Sequence, residues 1–321
     1  MIILYVALKY DYGRPDQGYS FEHYNFYHSL LHMGHDILYF DFMTLMQEHG
    51  REWMNQRLLE VVRREEPELM FTVLFRDELD PAIVREISEN SDTITLNWFC
   101  DDHWRFDNYS RPHGNRRFFI QSLQDAGINV RMWGRGWESG RISQEEMIDV
   151  FNQSCINLNL SNASTSSVAS KAQSMGKVRR WLSRVVKGMP FASQLLLEFL
   201  SNSNTNNIQY PEQIKARNFE VPGCGGFLFT GVAEDLENYY EIGKEIICFE
   251  DVNDLVEKAL YYLQNEDERL TIAQEGYQRT LSEHTYTHRF TDIFQRLGLP
   301  HAPIYSILNG DVCKGQIKMV H

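Results

Sequence analysis

The run QIKARNFEVPGCGGFLFT, residues 213–230, sets Lys215, Arg217 and Glu220 ahead of a glycine-rich turn and an apolar stretch. Pro211 suits the first turn of a helix, where its missing N–H costs nothing, so the spacing predicts a helix over 211–223. On an unbroken helix the eight positions from Glu212 to Glu220 bring both carboxylates within about 80° of one face. Lys215, three positions on from Glu212, shares that side. Cations at a helix N-terminus stabilise a diphosphate. A carboxylate can accept hydrogen bonds from two adjacent sugar hydroxyls, and Gly225 and Gly226 permit close backbone approach. The set suits a nucleotide-sugar. The same residues at helical spacing also make a solvated face with i,i+3 pairs.

Other loops carry reactive types. YDYGRPDQG follows the first apolar run and opens a helical pattern; there Gly18 could admit an acceptor or a phosphate. Without GxGxxG, and without an acidic residue placed for NAD, it does not suit a dehydrogenase. In CDDHWRFDN, Asp102 and His103 are candidates for general base or acceptor contacts, or for turn caps. Consecutive side chains diverge, so one metal ion is a poor fit and no metal is expected. WGRGWESGR places Arg135 where it could reach a diphosphate or sit on a surface turn. Residues 171–187 hold six basic side chains and no acidic one, with Val178, Trp181, Leu182, Val185 and Val186 on one face. This reads as an amphipathic helix, either at a membrane surface or packed with its basic edge in water.

Alternating elements must position these residues. Apolar runs in MIILYVALK, DILYFDF, ELMFTVLF and DTITLNWFC are strands, separated by helical patterns, with Asp80 and Pro81 opening the helix DPAIVREISEN. The helix following DILYFDF is expected to run unbroken to Pro67. Further on, INVRMWG, CINLNLS, GFLFT and EIICF read as strands, and helices are expected near 115–126, 143–153, 252–264, 266–281 and 286–296. Strands divided by helices imply parallel sheets covered on both faces. A Pro/Gly/Asn-rich seam near 108–115 divides the chain into residues 1–111 and 112–300, with 301–321 as a tail. The 321 residues suffice for two domains. The net charge of −13 disfavours nucleic acid as a partner. Five scattered cysteines without CxxC fit reduced thiols in the cytoplasm.

QIKARNFEVPGCGGFLFT, the collinear run EDLENYYEIGKEIICFEDVNDLVEKALYYLQNEDERLTIAQEGYQRTLSEHTYTHRF and the earlier NWFCDDHWRFDNYS resemble group-1 glycosyltransferases of the spore-maturation, CgeB-like type. The likeness covers most of the chain and is strongest over residues 205–296. It implies a GT-B fold, α/β, with two Rossmann-like parallel-sheet domains facing a cleft. The donor, a nucleotide-diphosphate sugar, would be held by the second domain, without metal or cofactor. By the same resemblance Glu220 matches the carboxylate on the ribose, Lys215 and Arg217 match cations near the diphosphate, and Gly225 and Gly226 form the turn beside the nucleotide. Glu212 fits the E-x7-E spacing of retaining relatives. The acceptor would be a carbohydrate or a lipid-linked hydroxyl, the latter served by membrane contact through 171–187. One departure is that Ser110-Arg111-Pro112 runs almost directly into His113-Gly114-Asn115, where relatives carry more chain. The first domain is therefore expected to be truncated, unless another segment replaces the missing strands. A non-catalytic nucleotide- or carbohydrate-binding protein is the alternative.

Overall fold

The computed structural model describes residues 1–98, 114–134, 137–160, 214–301 and 317–320. It divides into two compact units, residues 1–106 with 283–321, and residues 107–282. Each carries a parallel sheet, so the fold is α/β.

In the first unit β1 (Ile2–Val6) leads through a π-helical turn (His23–Tyr27) and α1 (His28–His32) to β2 (Asp36–Phe40). Then come α2 (Phe42–His49), α3 (Arg51–Glu65), β3 (Leu69–Thr72), α4 (Pro81–Asn90) and β4 (Ile94–Asn97). Successive strand residues face opposite ways, and both faces are buried. Leu4, Val6, Leu38, Phe40 and Met70 pack with Leu45, Leu58, Val62 and Ile83 of α2, α3 and α4. Ile3, Tyr5, Ile37, Tyr39 and Phe71 pack on the other side. Asp80 caps α4, its carboxylate accepting the Ala82 N–H at 2.9 Å, with Pro81 at the first position. The helix expected to run unbroken to Pro67 is two helices: Gly50, at φ +89°, ends α2 and caps α3 in a conformation that side chains avoid.

In the second unit α5 (Gly114–Asp125), α6 (Gln144–Gln153) and β5 (Asn157–Asn159) precede α7 (Arg217–Gly223), β6 (Leu228–Gly231) and β7 (Ile247–Phe249). Then come α8 (Val252–Gln264) and α9 (Glu266–Glu283). Phe227, Phe229, Ile247 and Phe249 pack with Leu255, Ala259 and Ile272. Leu228, Ile246 and Cys248 pack with Phe151 and Val221. INVRMWG, expected as a strand, joins neither sheet among the described residues; the side chains of Ile128, Val130 and Met132 pack against the core.

The last segments correct the sequence-based partition. Helix α10 (Tyr286–Arg296) belongs with the first unit, because Phe290 and Phe294 are buried against Tyr5, Phe26 and Phe71. The stretch read as a tail holds β8 (Ile317–Met319), which pairs in parallel with β2 through Ile37, Leu38 and Tyr39. The first sheet thus has the order β4-β3-β1-β2-β8. A fifth strand from the far end of the sequence extends the sheet that the short first half left at four.

Candidate functional site

Helix α7 is shorter than the spacing predicted. Ile214 and Lys215 are not helical and the helix begins at Arg217, so no unbroken helix runs from Pro211 to Glu220. The shared face inferred for Lys215 and Glu212 has no helical basis, and Glu212 itself lies outside the described residues. What fixes the segment is a buried amide network. Asn218 is fully buried. Its Oδ1 accepts the Lys215 N–H at 3.0 Å and the Asn159 Nδ2–H at 3.1 Å. Asn159 Nδ2 also donates to Thr230 Oγ1 at 3.2 Å. Asn159 ends β5 and Thr230 lies near the end of β6. The N-terminal end of α7 is therefore tied to the carboxyl edge of the sheet, where open α/β sheets bind ligands. Sequence reasoning missed these amides. The signal was present: Asn157 and Asn159 alternate with Leu158 on a strand, and polar groups at core positions need partners.

Glu220 is largely buried, its side chain 17% exposed, and it lies 3.9 Å from the half-exposed Arg217 guanidinium. Burial raises its carboxyl above the usual range, and the Arg217 charge opposes that shift. Arg217 also sits over the Phe151 ring, 5.8 Å from its centroid. Cys224 is pushed up by burial and by the neighbouring Glu220 charge, which leaves an unreactive thiol. Lys215, Arg217 and Glu220 thus fall within six residues of one strand-edge segment. A desolvated carboxylate accepts hydroxyl donors more strongly than an exposed one.

The two glycines do different work from that expected of a ligand-facing turn. Gly225, at φ +81°, closes α7: its N–H donates to Pro222 O and the Gly226 N–H to Val221 O, the paired bonds of a left-handed helix stop. At Gly226 a Cβ would meet Asn157 Nδ2 at 2.7 Å and the Phe151 carbonyl at 2.8 Å, so helix-to-strand packing demands its smallness. In the first unit Gly18 is at φ +80° with open space where a Cβ would stand. It is needed for the turn after Pro15–Gln17, and its carbonyl accepts the Asp11 N–H at 3.0 Å. Asp102, His103, Arg135 and the basic segment 171–187 lie outside the described residues.

A second cluster escaped the sequence reading. His23, in the π-helical turn, is stacked between Tyr19 at 4.4 Å and Tyr27 at 4.9 Å. Its Nδ1 is 3.4 Å from Tyr39 Oη, whose own proton goes to Leu8 O at 3.1 Å. Burial, with the charges of His28 and Lys9, lowers the His23 pKa to about 4. His35 is lowered to about 4 as well, first by burial. Both imidazoles fold neutral, whereas the unfolded chain protonates them near 6.5. Stability is therefore fully present above that value and is lost as the pH falls toward 4. Proton NMR is expected to show both rings neutral at pH 5.5, and thermal denaturation a falling Tm from pH 7 to pH 5. A His23 that titrates near 6.5 in the folded chain would contradict the buried stack.

Among the described residues no group of three or more His, Cys, Asp or Glu could hold a metal, and no helix is long and apolar enough to cross a membrane. The sequence profile of a family described as glycosyl transferase-like matches residues 111–295, more than half of the chain. Among solved structures, Anabaena HepE in complex with UDP is similar at 11% identity and a TM-score of 0.38, over 93% of this chain and 100% of that one. A Listeria monocytogenes protein provisionally named UDP-N-acetylglucosamine 2-epimerase is similar at 9% identity and a TM-score of 0.32, over 100% of this chain and 99% of that one. No curated protein matches the sequence.

Proposed function

This chain belongs to the glycosyl transferase-like family, and from that premise we propose that it moves a sugar from a nucleotide-diphosphate sugar to a hydroxyl acceptor. The observation that supports this most is the desolvated Glu220 carboxylate beside Arg217, on a segment tied by Asn218 to the carboxyl edge of the second sheet. In this reading the two Glu220 oxygens accept the vicinal ribose hydroxyls. Lys215 and Arg217 offset the charge that grows on the departing diphosphate, the kind of preorganised stabilisation that supplies much of a transfer rate. Asn218 holds the Lys215 backbone while this happens. Retention of configuration, independence of metal and the CgeB-like subtype come with the resemblance and are part of the proposal. So are a two-domain GT-B arrangement, a cytoplasmic location and membrane contact through 171–187. The alternative, a binding protein without turnover, drew on the shortness of the first half; β8 adds a strand there from elsewhere in the chain, so shortness no longer favours it.

Ligand binding stabilises the native state by mass action, by about 2.7 kcal/mol at a hundredfold excess over Kd. A thermal-shift panel of UDP, GDP, ADP, CDP and dTDP is expected to raise Tm by several degrees for one base. A flat response to all five at millimolar concentration would count against the proposal.

A further inference from the structure

We propose that Asn218 is a positioning residue that makes the site select a nucleoside diphosphate over the monophosphate of the same base, by fixing the turn that carries Lys215 and Arg217. That a nucleotide lies there at all rests on the glycosyl-transfer reading; which residue sorts diphosphate from monophosphate does not follow from it.

Both cations lie in the four residues 215–218, and Asn218 closes that turn twice. Its backbone N–H donates to Lys215 O at 2.9 Å. Its side-chain Oδ1 accepts the Lys215 N–H at 3.0 Å. A side chain that returns to the backbone three positions earlier fixes chain that neither helix nor strand holds. With its N–H and its carbonyl both engaged, Lys215 keeps one direction for its Cα–Cβ bond.

The latch is rooted in the sheet. The same Oδ1 accepts the Asn159 Nδ2–H at 3.1 Å, which fills its two lone pairs. Asn218 Nδ2 reaches Thr230 Oγ1 at 3.5 Å, and Asn159 Nδ2 reaches the same oxygen at 3.2 Å. Asn218 and Thr230 have no exposed surface, whereas Lys215 is half-buried and Arg217 exposed. An aspartate would accept the same N–H, but would set a buried negative charge beside the phosphates. The amide fixes the turn without that repulsion.

Glu220 does not depend on this network. Its N–H donates to Ala216 O at 2.9 Å and its carbonyl accepts the Cys224 N–H at 3.0 Å. Val221, the next residue, is buried and packs with Phe151 and Leu228. The carboxylate assigned to the ribose is thus held by helix and core, and the cations by one amide. Arg217 has contacts of its own, to Glu220 at 3.9 Å and over the Phe151 ring. Lys215 is therefore the cation that loses most when the amide goes. A monophosphate needs the ribose contact and the nearer charge, but a second phosphate needs both cations in place. A misplacement of about 1 Å is enough to forfeit a large part of such a contact.

Calorimetry on the full chain pairs UDP, GDP, ADP, CDP and dTDP each with its monophosphate. For the base that wild type prefers, the diphosphate is expected to bind about tenfold tighter or more, the factor carried by one contact to a charged group. Asn218→Ala should bring that ratio down to about threefold or less and leave monophosphate affinity nearly unchanged. Glu220→Ala should weaken both nucleotides and keep the ratio. Thr230→Val damages the same network from the sheet side but leaves Lys215 latched, so it should lower Tm and keep the ratio. That contrast separates positioning from general loosening. Equal binding of the two nucleotides by wild type, a wild-type ratio in Asn218→Ala, or the same loss of ratio in Thr230→Val would overturn the proposal. The Lys215 amide of the wild-type chain should also resist hydrogen exchange without any nucleotide, a measurement that needs no variant to fold. Exchange at the rate of an open loop would overturn the latch. Wild type that binds neither nucleotide removes the donor site itself; diphosphate selection that survives Asn218→Ala removes Asn218 alone.

Discussion

Glu220→Ala is expected to weaken binding of the preferred nucleotide diphosphate by roughly 10- to 100-fold while the chain stays folded. A hydrogen bond to a charged group contributes about 1.5–3 kcal/mol, and each 1.4 kcal/mol is a factor of ten in affinity. The fold does not need this carboxylate: its only ion pair in the described structure is the loose one to Arg217 at 3.9 Å. Burial works against it, raising its pKa, so Glu220 stabilises the fold most when protonated. That contribution is fully present below about pH 4.5, the ordinary glutamate value, and is lost as the pH rises through the higher folded value. Glu220→Gln, isosteric and neutral, should therefore unfold at a higher temperature than wild type at pH 7.5, with the gap closing toward pH 4.5, and should bind the nucleotide less well. A residue that costs stability and supports binding is what a ligand site requires. Calorimetry and thermal denaturation on the two variants check this. Unchanged nucleotide affinity in both would remove Glu220 from the site.

Phe290→Ala is expected to lower the unfolding free energy by about 3–5 kcal/mol, the range for deleting a buried aromatic. Phe290 is fully buried and meets Phe26, Phe71 and Trp98 edge-on at centroid distances of 5.7, 5.5 and 5.9 Å. It comes from α10, which joins the first unit from the far end of the chain. Chemical denaturation followed by far-ultraviolet circular dichroism gives the value; a loss below about 1 kcal/mol, that of an ordinary exposed site, would mean that α10 does not close this core.

Local pattern made most elements legible. Apolar runs such as ILYV and LMFT can be nothing but buried strands between helices, and Asp251 with the periodic Leu255 and Ala259 marks α8, which spans Val252–Gln264 as expected. What failed was whatever depends on distant partners. Residues 286–296 read as a helix, but no local signal says which sheet that helix covers; Phe290 and Phe294 suit any aromatic core. The strand Ile317–Met319 is short and ordinary until β2 offers an edge to pair with. INVRMWG has strand composition but, among the described residues, no strand paired with it, and composition alone does not make a strand.

The candidate site was half legible for the same reason. The types Lys215, Arg217 and Glu220 could be picked out, but their geometry was assigned to a helix two turns long before Glu220. The chain instead uses Asn218 to fasten a shorter helix to Asn159 and Thr230, a network formed across 59 and 71 residues of sequence. The glycines were noticed for a possible ligand, and their structural roles were not. A left-handed helix stop at Gly225 and contact with Phe151 at Gly226 account for both without a ligand. His23 was invisible because its neighbours Tyr27 and Tyr39 stack on it only once β2 lies beside the π-helical turn.

A crystal structure of the chain soaked with its preferred nucleotide diphosphate tests the central claim most directly. The account predicts the ribose hydroxyls on the Glu220 carboxylate and the diphosphate within hydrogen-bond reach of Lys215 or Arg217. A nucleotide seated elsewhere, with Glu220 still turned into the protein and touching no part of it, would contradict the account.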